Sequence, residues 1–479
     1  MKADGDPASD FWRYAKEQWP TILLYLILSI LILYRFQVYP SVVPNADALG
    51  YVEKGLVFRK EGFLADLGTL RTYGYPAIIY LYSFIAGLEP RSIALAAGIV
   101  QLTLYGLSVL WLGSRLYSLN ITLANAISIG LLLNPIIVAL VGDVLTESIS
   151  LIVVVLALAA LVNTARAHTF TGFVLWATFG AAISSFSVMI RPVNLLVFLA
   201  WNCGVVVWIF FARRTSLQRT ALFCCYICIL IACAAAAWGP QYRYNLSLGY
   251  HTVLPATPLL DTQLKWGILL LKYATIVVDQ HAEGLLFPNP WCVQSIPDAQ
   301  PLLWYLDHPL RGVVSIAGHL FAAFNFEYPF VYVYDFNPVY SVPTAGLMWL
   351  VIAIGLLHGT KSLCTYISSE TFHAEHIAML AMTVCLFVMV TALNGIITVE
   401  NRYNMIPIAI LSVLTVDFVL SHRTKIDAQG MTTVIFALCI AAIGTVLSET
   451  IRSSAIKLSS NLEPYPCIAP NVPKAARGS

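Results

Sequence analysis

The chain has 479 residues, of which 59% are hydrophobic and only 11% charged. Soluble globular proteins carry about 25% charged residues, so this composition excludes an ordinary soluble domain and calls for a membrane protein. A formal net charge of +2 is too small to argue for nucleic acid as a partner.

A membrane-crossing helix needs about 17–25 apolar residues. The first 19 residues read as a cytoplasmic N-terminal segment, since the apolar run begins at Pro20 behind a charged, aromatic head with no small-residue cleavage site. About eleven spans are expected on that criterion, near 20–38, 92–113, 120–140, 146–162, 171–188, 193–211, 219–238, 343–358, 376–397, 404–420 and 431–448. Two shorter apolar stretches, 76–88 and 311–324, are expected as interfacial or re-entrant helices. The fold class read from this pattern is an all-α polytopic membrane protein.

Lys and Arg concentrate in cytoplasmic loops. Lys2, Arg13 and Lys16 precede the first span, and Arg115, Arg166, Arg213, Arg214, Arg219, Lys361, Arg423 and Lys425 then fall in alternate loops. That side is expected to be the cytoplasm. The opposite face holds the outer loop 39–75, a large loop region at 239–342 and a tail from 449 to 479. Segment 20–238 holds the first seven expected spans and 343–448 the last four.

Cysteine usage carries no metal or redox signature, because Cys224, Cys225, Cys228 and Cys233 share one apolar span. Cys292 and Cys467 lie in outer segments, where a disulfide is open. The histidines are scattered, with no pair spaced for a zinc helix.

Charges are costly inside a bilayer, so their gathering on the outer face is informative. The loop after the first span carries Asp47, Tyr51 and Arg71 in "NADALGY" and "RTYGYP", with Tyr73 beside them. "VGDVLTES" carries Asp143 and Glu147, "IRPVN" carries Arg191, "WGPQYRYNLSLGY" carries Arg243 and Asn245, and "VENRYNMIP" carries Glu400 and Arg402. Each has a plain alternative: Asp47 as a helix cap, Glu147 as a complement to a helix dipole, Arg191 and Arg402 as anchors to lipid phosphate, Glu400 as the partner of Arg402. Together, acids and lone arginines at one membrane face suit acid–base chemistry beside a bound phosphate ester.

The order of these motifs, from "NADALGY" through "RTYGYPAIIY" and "NPIIVALVGDVLTESIS" to "IRPVNLL" and the late "ENRYNMIP", resembles the GT-C superfamily of integral-membrane glycosyltransferases. It is most similar to the branch of aminoarabinose transferases and protein O-mannosyltransferases. Asp47 is followed by Ala48, where many members have a second acid. The resemblance implies a polyprenyl-phosphate-linked sugar donor, inverting transfer to the hydroxyl of a glycan, lipid or protein acceptor, and an active site facing the periplasm of a bacterial inner membrane. It implies Asp47 as the base, Arg191, Arg402, Arg71 and Arg243 as the phosphate-binding set, and Asp143 and Glu147 as the second acidic position, with Tyr51, Tyr73, Asn245 and Glu400 around the substrates. No cofactor is required by that chemistry; a divalent ion, if one is used, falls to Asp47, Asp143 and Glu147. Membrane lipids are the remaining partner and nucleic acid is not one. The competing expectations are a transporter or flippase of lipid-linked sugars and an en bloc oligosaccharide ligase.

Overall fold

A computed structural model of the chain describes residues 7–38, 47–212, 215–255, 259–278, 281–289, 301–327, 332–333, 338–368, 374–423, 427–453 and 456–458. Among them, nine helices are long and apolar enough to cross a membrane, or eleven if each of two bent helix pairs is one span. The helical membrane fold expected from the composition is therefore the one adopted. The chain divides into two compact units, one formed by residues 1–257, 355–389 and 409–427, the other by 258–354, 390–408 and 428–479.

The first unit begins with α1 (Pro7–Glu17) and α2 (Trp19–Val38), bent by 74°. Then come α3 (Asp47–Glu61), the short α4 (Gly74–Ala86), α5 (Pro90–Tyr117), α6 (Ile121–Leu132), α7 (Pro135–Val141), α8 (Thr146–Ala165), α9 (Phe170–Ile190), α10 (Leu195–Phe211) and α11 (Ser216–Ser247). The single span expected at 120–140 is instead two helices bent by 63°. Pro135 cannot continue a helical hydrogen-bond ladder, and the Asn134 side chain accepts from the amides of Ile136 and Ile137 to start a new helix.

Helix α11 also departs from expectation. It runs through Pro240 to Ser247, so Arg243 and Asn245 lie on a helix rather than in the loop region expected from 239. The physical reason lies in the side chains of its last turns. Gln241 donates to Asn245, whose amide donates to the carbonyls of Thr252 and Leu254, so the extension is anchored by the chain that follows it.

In the second unit the expected outer region holds α12 (Leu259–Leu269), a hairpin of β1 (Leu270–Val278) and β2 (His281–Pro288), α13 (Pro301–Asp307) and α14 (Pro309–Phe324). Strand β3 (Tyr332–Val333) runs parallel to β1, and β4 (Ile456–Leu458) antiparallel to β2, in the order β3-β1-β2-β4. This sheet is an addition to the all-α expectation; the β-branched and aromatic "KYATIVV" has the composition strands favour. Helix α15 (Pro338–Ser368) starts ahead of the predicted span, and α16 (Ala374–Asn394), α17 (Met405–Ser421) and α18 (Ala428–Ser453) follow. The tail expected from 449 thus begins inside α18. Cys292 and Cys467 lie outside the described residues.

Inside the second unit, Lys272 and Glu327 form an ion pair 2.9 Å long with both side chains at 0% exposure. Lys272 also donates to the Asn325 carbonyl, the Asn325 amide donates to the other Glu327 oxygen, and the Trp349 indole donates to Asn325. A buried charge of this kind is tolerable only when its hydrogen bonds are met.

Candidate functional site

Helix α3 opens on Asp47 and closes on Arg59 and Lys60, so its charges complement the helix dipole at both ends. Ala48, Val52, Gly55 and Phe58 form its buried face, with the spacing of a helix packed on one side. A Cβ at Gly55 would lie 2.5 Å from Ile79, so α3 and α4 meet at their backbones there. The connection between them takes left-handed backbone at Gly62, Leu64, Asp66 and Gly68. Lys54 ties it down by donating to the Asp66 carboxylate at 2.8 Å, and the Gly68 amide donates to the Tyr244 hydroxyl.

That connection delivers Arg71 to the start of α3. Its guanidinium lies 3.5 Å from the Asp47 carboxylate and 4.1 Å from the centroid of the Tyr51 ring, face on. Gly50 makes room, since a Cβ there would sit 3.2 Å from the Arg71 guanidinium. The Tyr51 ring meets Tyr75 edge-on at 4.9 Å. Tyr75 heads α4, whose N-terminus is clamped on α9: a Cβ at Gly74 would lie 2.4 Å from the Met189 carbonyl oxygen. Phe58, Leu67, Tyr73, Val188 and Met189 form the apolar floor beneath.

A second carboxylate–arginine pair also acts on Tyr51. Arg191 ends α9 in an extended conformation, as the residue before a proline must, and its guanidinium lies 2.9 Å from Glu147 in the first turn of α8. Thr146 donates to the second Glu147 oxygen, and Asn194 bridges the Ser187 carbonyl and the Ser150 hydroxyl. The link "IRPVN" is thereby stitched to α8 at two levels one turn apart.

All four charged groups act on Tyr51. Burial pushes its phenol above the usual value, Arg71 and Arg191 oppose this, and Asp47 and Glu147 reinforce it. A phenol raised in this way keeps its proton and can donate a hydrogen bond.

The two pairs differ in kind. Glu147 is 6% exposed and Arg191 22%, a short pair in a largely dry setting. Asp47 is 44% exposed and Arg71 28%, at a longer distance. The first is a fixed element of structure; the second is a loose, solvent-reachable pair worth under about 1 kcal/mol.

Of the predicted residues, Asp47, Tyr51, Arg71, Glu147 and Arg191 come together. Asp143 is buried at 5% in the turn before α8. Tyr73 turns away: its hydroxyl donates to the Ala237 carbonyl and its amide to Gln241, so it fastens α4 to α11. Asn245 is likewise spent on holding the chain after α11, and Arg243 is exposed on that helix. Glu400 and Arg402 belong to the second unit, where they pair at 2.7 Å with 6% and 8% exposure. Among the described residues no three His, Cys, Asp or Glu side chains are grouped to hold a metal ion, so Asp47, Asp143 and Glu147 do not form one carboxylate cluster.

Sequence reasoning passed over Gln101, in α5. Its amide is assigned, from the partners at its two ends, with the nitrogen donating to the Val141 and Asp143 carbonyls, at 2.9 and 2.8 Å, and the oxygen accepting from the Tyr75 hydroxyl at 3.1 Å. The available signal was a glutamine inside an apolar span, a costly placement. No family model matches the chain, and no match is found among curated proteins.

Proposed function

We propose that this chain is a membrane glycosyltransferase that moves a sugar from a polyprenyl-phosphate carrier to an acceptor hydroxyl, with inversion, at the outer face of a bacterial inner membrane. The observation that carries the reading is the half-exposed Asp47–Arg71 pair, held over Tyr51 beside helices of membrane-spanning length.

A single displacement needs a base for the acceptor and a counter-charge for the departing phosphate. Asp47 takes the proton as the acceptor oxygen bonds to the anomeric carbon; the bond from that carbon to the carrier oxygen breaks, and its electron pair leaves with the phosphate. Positioned acid–base groups contribute about 10²–10⁴-fold. Arg71 meets the growing negative charge. Before the donor arrives Arg71 is occupied by Asp47, and the phosphate competes for the same guanidinium. Because that pair is loose and exposed, the exchange costs little and leaves the carboxylate to the acceptor proton. Glu147 and Arg191 supply a rigid ion pair, and Tyr51 beneath Arg71 keeps its proton as a hydrogen-bond donor. The exposed Arg243, and Arg402 in its own pair with Glu400, are not required by this scheme.

The test is transfer from a synthetic polyprenyl-phosphate sugar by the purified protein in proteoliposomes, with Asp47→Asn as the paired variant. Wild-type turnover with a loss of about 10²-fold or more in the variant is expected. Turnover by Asp47→Asn close to wild type sinks the base assignment, and no transfer by wild type from any such donor sinks the reading.

A further inference from the structure

The two carboxylate–arginine pairs come from different parts of the first unit, and chemistry between them requires a fixed separation. Nothing in the pairs themselves sets it, since Asp47 and Arg71 depend on α3 and its connection whereas Glu147 depends on the turn that opens α8. The buried Gln101 side chain touches that turn and also Tyr75, whose ring backs Tyr51.

Gln101 is at 0% exposure inside α5, the 28-residue helix against which both supports lean. One turn earlier, a Cβ at Gly98 would lie 3.0 Å from the Gly142 carbonyl oxygen, so α5 admits the turn backbone at close range and then grips it. The grip is the Gln101 nitrogen, which donates to the carbonyls of Val141 and Asp143 on either side of Gly142. The Ser148 hydroxyl donates to Leu140 and Asp143 carbonyls from within α8, so the turn is held from two directions. The Gln101 oxygen faces the other way and accepts from the Tyr75 hydroxyl. Tyr75 is the residue that backs Tyr51 edge-on, and Tyr51 carries Arg71 on its face.

Resting on the proposed function, we infer that Gln101 is a positioning residue that sets the separation between the Asp47–Arg71 pair and the Glu147–Arg191 pair, through Tyr75 and Tyr51 on one side and the Val141–Asp143 turn on the other. An amide suits this place because it offers donors at one end and an acceptor at the other. A hydrophobic residue of the same size would take one donor from each of two buried carbonyls and the Gln101 acceptor from the Tyr75 hydroxyl. Plain packing would need only volume at this position.

The inference is tested on the full-length protein in proteoliposomes, with turnover expressed per donor-binding site so that loss of folded protein does not count. Gln101→Leu is expected to lower kcat by about tenfold to a hundredfold, the scale of an ångström-level misplacement, while KM for the donor stays within about twofold, since no phosphate-facing group is removed. Tyr75→Phe, which removes only the acceptor-side bond, should lower kcat less, and adding it to Gln101→Leu should cost little more, because the two act through one connection. Gln101→Glu keeps the volume and the bond from Tyr75 but donates to the turn only when protonated. Its turnover should rise relative to wild type as pH falls, a response that a space-filling role does not produce. A Gln101→Leu protein with wild-type kcat per binding site, or losses that simply add with Tyr75→Phe, overturns the inference. If wild type transfers no sugar, the proposed reaction has failed and Gln101 is judged by hydrogen exchange alone. Amides of residues 142–146 should then exchange about tenfold faster in Gln101→Leu with those of α9 unchanged, and equal rates overturn the positioning role.

Discussion

Two regions of the molecule hold carboxylate–cation pairs, and they use the same chemistry to opposite ends. In the second unit Lys272 and Glu327 are wholly removed from water, and Asn325 bonds to both, its carbonyl accepting from Lys272 and its side-chain amide donating to Glu327. In the first unit Asp47 and Arg71 stand 3.5 Å apart at 44% and 28% exposure. Burial makes the first pair expensive to disturb and useless for exchange with a ligand. Solvent makes the second contribute little to folding, so exchanging it for contacts to a ligand costs little. Glu147–Arg191 lies between these extremes, closer to the structural one.

The largest expected effect on stability is at Lys272. Lys272→Met alone leaves Glu327 charged and enclosed, and should cost about 3–5 kcal/mol, read as a drop in the midpoint of detergent-solubilised unfolding. The double substitution Lys272→Met with Glu327→Leu should recover most of it. A single variant as stable as wild type would erase the contrast between the two regions. Next comes Glu147→Ala, which removes the carboxylate 2.9 Å from Arg191 and should cost about 3 kcal/mol in the same assay, with Arg191→Ala giving a similar loss. Gly74→Ala forces a methyl toward the Met189 carbonyl and should cost about 1–3 kcal/mol, with reduced turnover because α4 carries Tyr75. The smallest shift in stability, under about 1 kcal/mol, is expected for Asp47→Asn and Arg71→Ala. Those same variants should be the most damaging to sugar transfer, and Arg71→Ala should also raise the donor KM. If they proved strongly destabilising instead, the exposed pair would be structural and the comparison would collapse.

Much of this molecule was written in its composition and patterning. Long apolar runs commit a chain to helices across a bilayer because backbone polar groups have no partner there except within the segment, and the run lengths marked out both the spans and the two short helices near 76–88 and 311–324. The scarcity of charge made Asp47, Arg71, Glu147 and Arg191 conspicuous before any coordinates. What the sequence could not supply was pairing between distant segments. Arg191 and Arg402 looked alike, each a lone cation in a short outer link, yet Arg402 closes on Glu400 two residues away, the partner the sequence offered, and Arg191 on Glu147 from a distant helix. Tyr73 and Tyr51 also looked alike, and only the close approach of α4 to α9 at Gly74 turns one toward α11 and leaves the other beneath Arg71. The break at Pro135 and the extension of α11 through Pro240 show the same division, because proline removes the same hydrogen bond in both places and the neighbouring packing decides whether the helix survives it. Periodicity and charge are properties of the chain alone and determined the membrane architecture; ion pairs, edge-on rings and the reach of Gln101 depend on distances between segments far apart in sequence, and only tertiary packing decides those.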